Sequence, residues 1–87
     1  MSVVRLNPEL VAWREVDGEI LALDLANSRY LSSNPAGVLL WKALAEGSTH
    51  DALAMLLVEA FGIPVERARR DVKAFVQDLA ANGLLAA

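Results

Sequence analysis

Val11-Ala12-Trp13-Arg14-Glu15-Val16 runs into Asp17-Gly18 and out again through Glu19-Ile20-Leu21-Ala22-Leu23-Asp24-Leu25, and this stretch decides the fold. Two β-prone runs separated by Asp-Gly signal a hairpin, because a type I′ turn needs two residues that tolerate positive φ. In the second run Leu21, Leu23 and Leu25 alternate with Ile20, Ala22 and Asp24. Period two therefore gives one fully apolar face, expected to meet the helices that follow.

Downstream, Ala26-Asn27-Ser28 reads as a turn into a third short strand, Arg29 to Ser32. Asn34-Pro35 changes the element: Asn caps helices well and Pro is pre-set for the first helical position. The first helix is expected to run to about Ala45, with Val38, Leu39, Trp41 and Leu44 in its apolar stripe and Gly47 as its stop. Ser48 and Asp51 have capping-box spacing for a second helix that carries Leu53, Leu56, Leu57 and Phe61 and ends at Gly62. Pro64 opens a third, where Val65, Ala68, Val72, Phe75, Val76 and Leu79 keep helical spacing until Asn82-Gly83. Leu84-Leu85 are expected to fold back on the core. The order is β-β-β-α-α-α: an α+β domain with a three-stranded antiparallel meander, helices on one face, and residues 1–87 forming one domain.

Composition narrows the function. A formal charge of −3 and a pI near 4.9 argue against nucleic-acid binding, which draws on clustered Lys and Arg. With no cysteine, disulfides, cysteine metal sites and thiol nucleophiles are ruled out, and a cytoplasmic location fits. Lys42, Glu46 and Glu59 break the apolar runs well short of the roughly 18 residues of a membrane span, and Met1 to Leu6 lack a signal-peptide pattern. No membrane partner is expected.

Catalytic constellations are missing. His50 is the single histidine and reads as a solvated helix-start residue, while Glu15, Asp17, Glu19 and Asp24 lie in or beside a hairpin expected to be exposed. Gly18, Gly37, Gly47, Gly62 and Gly83 are isolated, each with a turn, cap or packing role, so no phosphate cradle forms. Trp41, Phe61 and Phe75 sit at helical spacing and read as core. No enzyme activity, metal or cofactor is expected.

Two features point to a polypeptide partner. The third helix sets Arg67, Arg69, Arg70 and Lys73 against Glu66, Asp71 and Asp78, a slight basic excess suited to an acidic peptide. In a meander the third strand is an edge, and Arg29-Tyr30-Leu31-Ser32 lacks the Pro or Lys that usually guards one. An open edge beside an apolar helix is what strand addition requires. The competing arrangement is an edge covered by a loop or by the N-terminal arm.

The ordered set Trp13-Arg14-Glu15, Leu23-Asp24-Leu25, Arg29-Tyr30-Leu31, Asn34-Pro35-Ala36-Gly37, Trp41, Ser48-Thr49 and Asn82-Gly83-Leu84-Leu85 resembles the PqqD-like leader-recognition domains of ribosomally made, modified peptide pathways. It departs from them at Ser33, where the family usually has leucine. The resemblance implies a winged-helix-like fold that binds the leader of a precursor peptide as an added strand beside the third strand. Carried over by position, Arg29, Tyr30 and Leu31 would form the pairing edge and Val72, Phe75, Val76 and Leu79 the groove wall; Arg69 and Lys73, on the slightly basic face of the third helix, are further expected peptide contacts. Stand-alone members of this size are similar to the recognition subunits of lasso-peptide biosynthesis, whose partners are the precursor, a leader peptidase and the cyclase of the same pathway. A PQQ-type precursor chaperone is the alternative within the family, and a winged-helix DNA regulator the alternative outside it.

Overall fold

A computed structural model describes residues 3–25, 29–32 and 35–86, with the side chains of 29–32 left aside. The turn expected at 26–28 and the cap expected at Asn34 fall outside the described residues. The chain is α+β: an antiparallel hairpin of β1 (Val11–Val16) and β2 (Glu19–Asp24) precedes α1 (Pro35–Glu46), α2 (His50–Phe61) and α3 (Val65–Ala81). Asp17 and Gly18 join the strands at φ 53° and 78°, the two positive values a type I′ turn needs. The backbone of β3 (Arg29–Ser32) runs antiparallel to β2, with Leu21 opposite Ser32 and Asp24 opposite Arg29.

The sheet faces are the reverse of the sequence expectation. Ile20, Ala22 and Asp24 point inward and are buried, whereas Leu21 and Leu25 are 44% and 46% exposed. Register explains it: Val11 opposes Asp24, Trp13 opposes Ala22 and Glu15 opposes Ile20, so these six share a face. Trp13 reaches Trp41 of α1 and the Glu15 carboxylate pairs with Lys42 of α1 at 3.0 Å. Buried Asp24 also corrects the expectation of an exposed carboxylate, and it has interaction partners.

Beneath this face Leu40, Trp41 and Leu44 of α1, Leu53 and Leu57 of α2, and Ala68 and Val72 of α3 form one core with Ile20 and Leu84. Leu84 does fold back, at 1% exposure. Phe61, expected in the core, is 46% exposed at the end of α2. The α2 cap is Thr49, whose hydroxyl accepts from the Ala52 amide at 3.2 Å; Ser48, the expected cap, instead bridges to the N-terminal arm.

That arm is fastened away from the sheet. Val4 and Ser48 exchange backbone bonds, the Leu6 amide donates to the Leu44 carbonyl, the Asn7 amide to Leu84, and the Ala86 amide to Arg5. Gly47 permits the passage: at φ 99° it is in the region that favours glycine, and a Cβ there would sit 3.2 Å from Arg5 Nε. Among the described residues, no helix is long and apolar enough to cross a membrane.

Candidate functional site: a strand edge and the two flanks of the third helix

The sheet order is β1-β2-β3, so β3 presents one side to β2 and the other outward. The segment best placed by sequence to cover that outer side, the N-terminal arm, is bound to Ser48, Leu44 and Leu84. Among the described residues, no backbone bond is made to the outer side of β3. Arg29, Tyr30 and Leu31 stand in register with Asp24, Leu23 and Ala22.

Pro35 opens α1 three residues after Ser32, so it lies within roughly 11 Å of the strand end, the reach of three trans peptides. There Pro35 and Ala36 line a hollow of about 320 Å³ with Leu57, Phe61, Ile63, Arg67 and Asp71. It is an apolar recess with an ion pair at its mouth, Arg67 Nε lying 3.8 Å from Asp71 Oδ2. Exposed Phe61, misplaced in the core by sequence reasoning, is one of its walls. No periodicity marks such a residue, because the third dimension decides which end of an apolar stripe is covered.

The expected groove wall separates into two groups. Val72, Val76 and Leu79 are 0%, 7% and 6% exposed and pack in the core. Phe75 is partly buried against the core margin and remains accessible. Arg69 and Lys73 do not belong with it. At 100° per residue they lie about 120° and 160° around α3 from Phe75, whereas Asp71 is only about 40° away. They line a different hollow, of about 580 Å³, with His50, Asp51 and Gln77. The α3 flank that holds Phe75 therefore carries Arg67, Asp71 and Asp78, with no basic excess.

The family model described as coenzyme PQQ synthesis protein D (PqqD) matches residues 19–85. The chain belongs to the PqqD family. The matched span runs from β2 to the C-terminal tail and holds both hollows' α2 and α3 residues; Trp13-Arg14-Glu15, on which the resemblance also drew, precedes it. Two solved structures share the PqqD-family chain's fold. One, described as TbiB1 in complex with the TbiA(beta) leader peptide, has a TM-score of 0.85 at 22% identity, over 93% of each chain. The other, described as lasso peptide synthetase B1 complexed with the leader peptide, has a TM-score of 0.82 at 25% identity, over 97% of this chain and 98% of that one. No curated protein sequence matches the chain significantly.

Proposed function

We propose that this PqqD-family chain is a non-catalytic, cytoplasmic leader-peptide-binding protein of lasso-peptide biosynthesis, acting as one domain over 1–87. It captures a precursor by strand addition and presents it to a leader peptidase and the cyclase of the pathway. In this reading β1, β2 and β3 form one three-stranded, winged-helix-like sheet, and Arg29, Tyr30 and Leu31 are the edge on which the leader pairs. The observation that carries it is the commitment of the N-terminal arm to Ser48 and Leu84, which leaves β3 available to a guest strand. The likeness to two proteins described as bound to leader peptides supports the same reading.

Energy requires more than the edge. Four residues of β3 provide about four backbone hydrogen bonds at about 1 kcal/mol each. Association costs at least about 4 kcal/mol, and ordering a disordered leader adds about 2–5. Strand pairing alone falls short. Two apolar anchors of about 1.5–3 kcal/mol each restore the balance, and Phe75 with the recess at Phe61 and Ile63 offers places for them. Specificity then resides in those recesses, since backbone pairing reads no side chains.

The test is titration of the isotope-labelled chain with a synthetic lasso-precursor leader while amide shifts are followed. The largest changes are expected at 29–32, at Ala36 and around Phe61, Asp71 and Phe75. Unchanged shifts there at saturating peptide would reject the proposal. The family model's own description supports a second reading, a PQQ-type precursor chaperone; the same titration with a PQQ-type precursor separates the two.

A further inference from the structure

The second hollow lies between the start of α2 and the middle of α3. His50 and Asp51 are the first two residues of α2; Arg69, Lys73 and Gln77 follow one another at intervals of four on α3. Arg69, Arg70 and Lys73 are three of the chain's eight Lys and Arg residues, gathered within five positions of a protein whose net charge is −3. The one acid in the hollow's lining is Asp51.

Among the described residues, the fold makes little use of these cations. Lys73 and Arg70 have no ion-pair partner among the described residues. Arg69 lies 3.9 Å from Asp51, with the two side chains 65% and 76% exposed, a geometry in which an ion pair contributes little. Thr49 caps α2 at this point, so the positive end of the helix dipole also faces the hollow.

We propose that this hollow is a second docking site, separate from the β3 edge, for a carboxylate-rich segment of a partner polypeptide. Spacing favours a peptide. Residues four apart on a helix hold their Cβ atoms about 6 Å from one another, close to the roughly 6.6 Å between alternate residues of an extended chain. Two carboxylates at alternate positions reach Arg69 and Lys73 together, and the Gln77 amide can donate to a third acceptor. The volume of about 580 Å³ holds several side chains, more than a simple anion fills. A continuous phosphate backbone fits less well, because its affinity grows with the number of phosphates neutralised and only two cations among the described residues, Arg69 and Lys73, line the hollow.

The site does not depend on leader binding at β3. Since Arg69 and Lys73 lie on the far flank of α3 from Phe75, one molecule can hold a guest strand and an acidic partner segment at once. That is the arrangement needed by a protein that hands its bound cargo to another.

The experiment is fluorescence anisotropy of the full chain with a labelled peptide of alternating Glu and Ser, in dilute and in physiological salt, with an alternating Lys and Ser peptide as control. The acidic peptide is expected to saturate, to weaken as salt screens the charges, and to lose about tenfold in affinity in the R69Q/K73Q double variant. E59Q on the exposed surface of α2 is expected to leave it unchanged. Equal binding by R69Q/K73Q, absence of saturable binding, or equal binding of the basic peptide overturns the proposal. Displacement of the acidic peptide by an equal charge concentration of inorganic pyrophosphate would also overturn it, by showing a general anion site. Because both substitutions are on exposed side chains, circular dichroism of the variant is expected to match the parent. Leader titration of the same variant separates this site from β3: it is expected to keep its leader affinity.

Discussion

The Trp13 indole stands edge-on to that of Trp41, with ring centroids 6.3 Å apart and planes at 76°. This contact ties the hairpin to α1, and the two partners bear it unequally: Trp41 is 2% exposed and Trp13 37%. Trp13→Ala is expected to cost about 1–2 kcal/mol, an edge-to-face pair contributing about 0.5–1.5 beyond partial burial. Trp41→Ala should cost about 3–5 kcal/mol. Trp41→Phe should cost distinctly less than Trp41→Ala, because the ring is largely kept and the buried Nε1, which has no acceptor among the described residues, is removed. Urea unfolding followed by far-UV circular dichroism orders the three; equal losses would reject the unequal division.

Adjacent residues of β2 should respond oppositely. Ile20→Ala opens a cavity beneath the sheet and is expected to cost about 2–5 kcal/mol. Leu21→Ala, on the outward face, should stay near 0.5 kcal/mol. Leu21→Lys is further expected to raise solubility, since the outward face carries Leu21, Leu25 and Val16 at substantial exposure. Denaturation midpoints and static light scattering check both; a costly Leu21→Ala would return that residue to the core.

This pair also shows what was legible in advance. The Asp17-Gly18 turn, the two hairpin strands and the three helices are local features, set by turn chemistry and period, and the structure carries them close to the positions read from the chain, β2 ending one residue early at Asp24. Which face of β2 is inward is not local. Glu19-Ile20-Leu21-Ala22-Leu23-Asp24 is apolar on both alternations, and the charge of Asp24 weighed toward the wrong one. Only the pairing of Val11, Trp13 and Glu15 across from it, with Trp13 and Glu15 reaching α1, fixes the choice. Arg69 and Phe75 mark a different limit: helical spacing alone sets them about 120° apart around α3, which a count of basic residues along the helix does not register.

At the start of α2, neighbouring hydroxyls have different work. The Thr49 side chain satisfies the Ala52 amide, whereas Ser48 contributes its backbone to the Val4 bridge. Thr49→Ala is therefore expected to cost about 1 kcal/mol, and Ser48→Ala less than about 0.5. Thermal unfolding of the two variants distinguishes them, and a larger loss at Ser48 would move the cap back to it.

Along α3 the decisive comparison is Val72 with Phe75. Val72 has no accessible surface, so Val72→Asp buries a charge without a designed partner and is expected to unfold the chain, lowering leader affinity only through the folded population. Val72→Ala, milder, should cost about 1–3 kcal/mol and leave the affinity of the folded fraction unchanged. Phe75 sits at the core margin beside Asp71, so Phe75→Ala is expected to cost less stability than a fully buried aromatic and to weaken leader binding by at least tenfold, the loss of about 1.4 kcal/mol from one apolar anchor. Measuring unfolding and leader anisotropy on the same preparations separates the two effects. If Val72→Ala lost affinity while Phe75→Ala kept it, the guest segment would have to penetrate the core side of α3, and the strand-edge reading of the groove would fail.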